Sequence, residues 1–453
     1  MPNVAYHERT ASQLRLLSQA LARGRLGPVR QLVNTLSPAE IGNLLESLPP
    51  DKRIVVWGLV DPEDDGEVLL HVGDEVREGL IADMDTDEIV AAVEDLDIDD
   101  LADLVEDLPA TVIDEVLKSM DRENRERLEQ VLSYPEDCAG RLMNPDVVTV
   151  RADVTLDVVL RYLRLRGELP ELTDHLYVVS RRRQYLGRIA LAALLTKDAE
   201  TPIHDLIDEI QPAIGVDVSA ADVASQFSDH DWISAPVVDS NNILLGRITI
   251  DDVVDIIREQ AEHQAMSAAG LDEDEDLFSP VVRASRRRAV WLGINLLTAF
   301  LASSVIGLFQ GVLQKIVAMA VLMPIVASMG GVAATQVLTL MVRGIALGQV
   351  GSSNFRALLA KEILVGMANG FVWAVVVGAM AIIWFRDLSL GMVMGAAMML
   401  NLVNAAVAGI IVPLTLKRLR IDPALAGGVI VTTFTDVGGF LSFLGLGTLV
   451  LLR

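Results

Sequence analysis

Val431-Thr432-Thr433-Phe434-Thr435-Asp436-Val437-Gly438-Gly439-Phe440 lies near the middle of the last apolar run of this 453-residue chain. From Ala424 to Leu452, Asp436 is the only charged side chain, and the run reaches the ~20 residues a helix needs to cross a bilayer. An aspartate at the centre of such a helix costs about 2.5–3.5 kcal/mol on insertion scales, so it faces water, an ion path or a partner. Thr432, Thr433 and Thr435 add hydroxyls within a turn, which suits a wet lining better than a lipid face. We therefore expect Asp436 to be a pore site, with Thr432, Thr433, Thr435 and Gly439 lining the same path. The plainer alternative is a structural pair with another buried polar group, but no Lys or Arg of the neighbouring apolar runs lies at mid-depth to serve.

Working outward, four more runs have spanning length, at about 290–309, 316–342, 358–384 and 390–416. Their flanks differ in charge. Arg283, Arg286, Arg287 and Arg288 precede the first span, Arg343, Arg356 and Lys361 separate the second from the third, and Lys417, Arg418 and Arg420 separate the fourth from the fifth. The other side carries only Lys315, Arg386 and Arg453. Basic loops stay in the cytosol, so the expected topology places the N-terminal region in the cytosol and the C-terminus outside, in a cell membrane such as a bacterial inner membrane. The N-terminus has no apolar signal-peptide core.

Before Arg283 the chain changes character. It holds 58 acidic residues against 24 basic ones, a net charge of −34, within a whole chain of −25 and 51% hydrophobic residues. Such a charge repels nucleic acid and attracts cations or basic partners. One cysteine, Cys138, allows no intrachain disulfide.

Residues from about 12 to 132 read as short helices with apolar and acidic positions interleaved. Residues 36–49 recur as 96–109, with a weaker copy from Met84, and both full copies end at a proline. That is the punctuation of a stacked helical repeat, right-angled or superhelical. Its acids include Asp97, Asp99, Asp100, Asp103, Glu106 and Asp107. They read either as a solvated face or as carboxylates for divalent cations, which prefer oxygen ligands.

From Tyr134 to Met143 the pattern turns to β-branched runs alternating with amphipathic helices: strand-like 147–150 and 177–179, a helix at 156–165, then 214–216, a helix from Ala220, 235–239 and 245–252. The twice-repeated order resembles tandem cystathionine-β-synthase (CBS) modules. That resemblance implies nucleotide binding through a Gly followed by Thr/Ser-x-x-Asp, matched here by Gly246, Thr249 and Asp252 in the second module only, since the first reads Gly187-Arg-Ile-Ala-Leu-Ala-Ala. Trp232 is either a platform for a base or core. After Asp252 a helical run continues to about Ala269, followed by Asp272–Asp276.

The order of acidic helical domain, CBS pair, connecting helix and five spans resembles the MgtE family of magnesium channels over essentially the whole chain. The matching residues include Tyr134-Pro-Glu-Asp-Cys-Ala-Gly-Arg-Leu-Met143, Trp291, Leu292, Asn295, Pro324–Gly331 with Gln336, Lys361-Glu362, Gly366, Gly370, Asp422-Pro423-Ala424, Thr432, Thr433, Asp436 and Gly439. Val332, Ala334 and Val429 depart from the family's pattern. The resemblance implies a multi-domain membrane protein that is not an enzyme. The expected division is an α-helical superhelical N-domain (1–133), α/β CBS modules (134–200 and 201–255), a connecting helix and linker (256–282) and a five-helix pore domain (283–453). It further implies a homodimer with one pore on the two-fold axis, admitting Mg²⁺ down its electrochemical gradient past Asp436. Mg²⁺ bound to the cytosolic acids would close the pore. Where an acid is present here, the regulatory ligands implied are Asp99 or Asp103, Asp231, Asp252, Asp255, Glu259 and Asp422, while Gln260, His263 and Gln264 replace expected acids. ATP is implied as a regulatory ligand on Trp232, Thr249 and Asp252. The alternatives are a CBS-regulated carrier of Co²⁺, Mn²⁺ or Ni²⁺, and a membrane-anchored nucleotide sensor. No phosphate-binding Gly-x-x-x-x-Gly-Lys loop supports an ATP-driven pump, and the six histidines lack zinc-site spacing.

Overall fold

The computed structural model describes residues 17, 20–21, 23, 26–94, 96–105, 107–208, 212–271, 275–351 and 353–452. Glu106, Asp272 to Asp274 of the acidic run, and Arg453 lie outside the described residues. The chain forms two compact units: one runs to Gln260 and takes in a short segment just before Pro280, and the other holds the residues from Ala261 and then from Pro280 onward.

The first unit opens with nine short helices among the described residues: α1 (Leu26–Val33), α2 (Pro38–Glu46), α3 (Pro50–Trp57), α4 (Asp65–Leu70), α5 (Asp74–Ile81), α6 (Thr86–Val93), α7 (Ile98–Val105), α8 (Ala110–Ser119) and α9 (Arg122–Leu132). Their first residues, apart from that of α4, advance by multiples of 12. The 36–49 and 96–109 echo is five such steps, so the true repeat is one helix and its turn. Each helix stops because the next start is written in. Ser37 caps α2 through a box with Glu40, Ser37 N donating to Glu40 Oε2 at 3.0 Å. Asp121 accepts from the amides of Glu123 and Asn124.

Two further features recur 24 residues apart: the glycines tie a helix to the next but one, and the arginines tie it to the one before. Gly42 and Gly66 lie where an added Cβ would sit 2.6 Å from His71 O and 2.0 Å from Ala92 O. Arg53 donates to Leu45 O and Leu48 O, and Arg77 likewise to Leu69 O and Val72 O, so each arginine closes the carbonyl end of the preceding helix. Arg53 also pairs with Asp276 at 2.8 Å, with each side chain 7% exposed. Glu75 accepts from Asp276 N and from Ser279 Oγ.

Two α/β modules follow. In the first, after α10 (Ala139–Leu142), β1 (Thr149–Arg151) pairs parallel with β2 (His175–Val179), which pairs antiparallel with β3 (Tyr185–Ala190). Helices α11 (Leu156–Arg166) and α12 (Leu191–Thr196) complete it. In the second, β4 (Ile214–Gly215), β5 (Ser234–Val238) and β6 (Leu244–Thr249) repeat the same order and sense, with α13 (Ala220–His230) between. The register break recurs at Val178/Val179 and Val237/Val238. The paired-module fold is therefore as expected. The helical domain and the second module share one apolar core, from Val29 through Val131 to Phe227, Ile248 and Ile256, whereas the first module keeps its own.

Helix α14 (Ile250–Ala268) is continuous. It begins directly after β6, so the connecting helix expected from 256 is one piece with the last helix of the second module.

Among the described residues the second unit holds five helices long and apolar enough to cross a membrane: α15 (Val281–Leu308), then, after the short α16 (Gln310–Lys315), α17 (Val317–Ala346), α18 (Phe355–Phe385), α19 (Leu388–Arg418) and α20 (Pro423–Leu451). The first extends toward the N-terminus beyond the apolar run and carries Arg283 and Arg286–Arg288 in its opening turns. Helix α19 is the most buried and packs against α17, α18 and α20. Its glycines allow close approach: a Cβ at Gly391 would lie 2.7 Å from Gly378 O and one at Gly395 2.9 Å from Ala374 O, both on α18.

Candidate functional site

Helix α20 presents two faces. Val431, Thr435 and Gly439 are buried toward its neighbours, while Thr432 is exposed and Thr433 and Asp436 are half-buried. Asp436 forms no hydrogen bond or ion pair with the described residues. This corrects two pore-lining expectations: Thr435 is 0% exposed and Gly439 is covered by Asn401. The reason is helical spacing, because positions 431, 435 and 439 form one inward stripe, and that face cannot also be read off from nearness in sequence. The threonine hydroxyls donate to their own helix, Thr432 Oγ1 to Gly428 O, Thr433 Oγ1 to Val429 O and Thr435 Oγ1 to Thr432 O. Thr432 and Thr433 therefore offer lone pairs, not protons, to whatever lies beside Asp436. Of the departures from the expected pattern, Val332 is exposed and Ala334 buried.

Two asparagines that the sequence reading passed over hold this segment. Asn401 on α19 is 0% exposed and donates Nδ2 to Val326 O of α17 at 2.9 Å, while its Oδ1 is buried without a partner among the described residues. Asn404, one turn on, donates to Phe434 O of α20 at 3.1 Å. Two uncharged amides three residues apart in an apolar run were the available signal.

In the first unit, α7 and the start of α14 bring a second set of carboxylates together. Burial, then the charges of Asp252, Asp100 and Asp97, push Asp99 well above the usual carboxylate range, and its Oδ1 is buried without a partner. Asp100 rises to about 7 through burial and the charges of Asp97, Asp103, Asp251 and Asp255. Asp252 also rises to about 7, through burial and Asp251, although the Thr249 amide opposes this. Desolvation raises Asp255 against the pull of His71, and it raises Glu259 together with Asp103 and Asp255. Asp99, Asp103, Asp252, Asp255 and Glu259 thus share one electrostatic neighbourhood with Asp97 and Asp100, already among the acids read from the sequence, and with Asp251, which adjacency to Asp252 could have suggested. Among the described residues no three of them converge as a ready-made cage. A cation that keeps part of its water shell fits such a facing arrangement.

The remaining residues lie elsewhere. Asp231 is exposed at the left-handed end of α13, with φ 52. Asp422 caps α20, accepting from Ala424 N at 2.8 Å and lying 2.9 Å from His263 Nε2 of α14. Thr249 N and Oγ1 both donate to Asp252 Oδ2, at 3.2 and 3.1 Å, so the Thr-x-x-Asp motif acts as the cap of α14. Trp232 is buried, edge-on to Phe227 and stacked on His230 with centroids 4.6 Å apart, which is the core placement.

These features define a class: a multi-pass membrane protein that joins five spans to a CBS pair and an acidic helical domain. A family model described as a divalent cation transporter, MgtE, matches residues 323–446, one for the MgtE intracellular N domain matches 36–137, and CBS models match 139–200 and 204–259. The N domain and the spans are thus similar to those of the MgtE family. The chain is 29% identical over 450 residues to the magnesium transporter MgtE of Thermus thermophilus, covering 96% of this chain and 98% of that one. The corresponding protein of Bacillus subtilis is 26% identical over 94% of this chain and 95% of its own. Among solved structures, the cytosolic domain of the Mg²⁺ channel MgtE in complex with ATP matches at 29% identity, over 53% of this chain and 98% of that one, with a TM-score of 0.48.

Proposed function

We propose that this protein conducts Mg²⁺ into the cell down its electrochemical gradient and that Mg²⁺ on its acidic domain closes the path. The observation that carries the reading is Asp436: a carboxylate in the middle of an apolar span, with no partner among the described residues. Its desolvation has to be compensated by water, an ion or a second copy of itself. Two subunits facing across a two-fold axis would pair these carboxylates around a hydrated divalent ion, since Mg²⁺ releases water reluctantly. The magnesium-transporting relatives support the choice of ion.

Closure rests on the α7 and α14 acids. Their mutual repulsion falls when a cation sits among them, and a ligand shifts a gate only by binding one state better than the other. The basic flanks of the spans support a cytosolic location for these acids. ATP, if it uses Asp252, has to displace the Thr249 cap and compete with cations for the same carboxylate. A second reading, a carrier of Co²⁺ or Ni²⁺, is favoured at one point: His263 stands on Asp422, and imidazole suits those ions better than Mg²⁺.

The test is uptake by the full-length protein in proteoliposomes. Wild type should take up Mg²⁺, and Asp436→Ala should lose at least about tenfold of the rate, as expected for removing a site at which the ion's charge is stabilised. Co²⁺ and Ni²⁺ run in parallel distinguish the second reading. Equal Mg²⁺ uptake by wild type and variant would remove Asp436 from the path.

A further inference from the structure

We propose that Asn401 and Asn404 are positioning residues that hold the Asp436 carboxylate in the ion path, an inference that rests on the pore reading above. The argument begins with an amide that packing alone does not explain. Asn401 is fully buried, and only its Nδ2 is used, in the bond to Val326 O. Its Oδ1 has no partner among the described residues. A buried polar atom left unpaired is unfavourable, and a leucine of similar size would fill the same space without that cost.

What the two amides do is visible on α20. A Cβ at Gly439 would lie 2.7 Å from Asn401 Nδ2, and one at Gly438 would lie 2.3 Å from Asn404 Nδ2. On α17, a Cβ at Gly330 would lie 2.2 Å from Asn401 Nδ2. Asn401 is thus wedged between two helices against glycines whose added Cβ would meet its amide, and it hydrogen-bonds one of them. Asn404 sits on Gly438 and donates to Phe434 O. Those contacts fall two residues before Asp436, at Phe434, and two and three residues after it, at Gly438 and Gly439.

A helix held on both sides of one residue can neither slide nor turn there without breaking a contact. One residue of slip moves the carboxylate by about 1.5 Å along the axis and about 100° around it. Binding constellations tolerate roughly 0.5 Å, and a misplacement of about 1 Å is enough to cost up to about a hundredfold. The asparagines do not touch the ion in this arrangement; they set where Asp436 meets it.

Two measurements on the full-length protein test this. In a Cys138→Ser background, Asp436→Cys is labelled with a small water-soluble thiol reagent, with and without Asn401→Ala or Asn404→Ala. Each alanine should change the labelling rate about tenfold. Gly438→Ala should do the same, because its new methyl meets the Asn404 amide, and Gly438→Ala with Asn404→Ala should return the rate toward that of the parent. Rates within about twofold of the parent throughout would overturn the clamp, whether or not Asp436 binds an ion. In proteoliposomes with Asp436 intact, Asn401→Ala and Asn404→Ala should raise the half-saturating Mg²⁺ concentration about tenfold, while the maximal rate per inserted protein stays within about twofold. A lower maximal rate at unchanged half-saturation would mean a merely structural role and would also overturn the proposal. If Asp436→Ala transports like wild type, the pore reading fails by its own control, and the labelling result still decides whether the amides hold position 436.

Discussion

Asp436 stood out in the sequence as a candidate site because a lone charge in an apolar run has few explanations. Asn401 and Asn404 did not, because an amide in such a run advertises nothing until its neighbours are known. Arg53 shows the same limit in the first unit. Its guanidinium lies 7% exposed, on Leu45 O, Leu48 O and Asp276, and no pattern in the sequence couples positions 53 and 276. Removing one partner of a buried pair costs about 3–5 kcal/mol, whereas replacing both by apolar groups is often neutral. Arg53→Ala should therefore lower the thermal midpoint of the first unit by roughly 10 °C, and Asp276→Asn by less, since it keeps an acceptor for the arginine. Arg53→Met with Asp276→Leu should recover most of the loss. Circular dichroism melts of the four proteins decide this, and equal midpoints for wild type and Arg53→Ala would contradict the buried pair.

At the scale of elements, hydropathy alone was enough to place the five spans to within a few residues at most ends, because a bilayer imposes length and apolarity together. The first span was the exception, since its helix runs on through four arginines that hydropathy excludes. The 12-residue helix period was half seen: the strongest echo was five periods apart, and the copy from Met84, one period before 96–109, was the weaker one. The strand order of the CBS pair was legible from β-branched runs. The face of α20 was not, because helix orientation depends on neighbours. Between elements, the pairing of α7 with α14 makes a prediction about pH. Asp100 and Asp252, raised to about 7, bind protons more tightly folded than unfolded. The stability they contribute is present at low pH and is lost as pH rises from about 4 through about 7. Melts of the full chain without divalent ions should show the first unit losing roughly 3–8 °C between pH 5 and pH 8 from this source, beyond any loss in a variant carrying Asp100→Asn and Asp252→Asn. Millimolar Mg²⁺ should restore most of it in wild type and little in the variant. A wild type whose midpoint is flat across that range would contradict the cluster.

At the scale of the whole molecule, the net charge of −34 before Arg283 is what the proposed cation-operated gate would act on. A gate of this kind moves from mostly open to mostly closed only if the closed state binds Mg²⁺ far better, about 10⁴-fold in total for a swing from 1:99 to 99:1. No single weak carboxylate pair provides that, but several sites acting together can, each contributing a modest ratio, and the proposed pairing of two subunits would double their number. Helix α14 is where such binding would be felt, because it carries Asp251, Asp252, Asp255 and Glu259 in its first half and His263, 2.9 Å from Asp422, in its second. Limited proteolysis of the full-length protein in detergent reads this directly. Cleavage within residues 252–269 should slow at least about tenfold as Mg²⁺ rises through the millimolar range, since local opening follows the free energy of the closed state. Protection should shift to higher Mg²⁺ when Asp99 and Asp252 are both replaced by asparagine. Na⁺ at matched ionic strength should not reproduce it, because screening weakens repulsion without bridging the acids. Cleavage at the same rate with and without Mg²⁺ would leave Asp436 as a candidate ion site but take away the cytosolic gate.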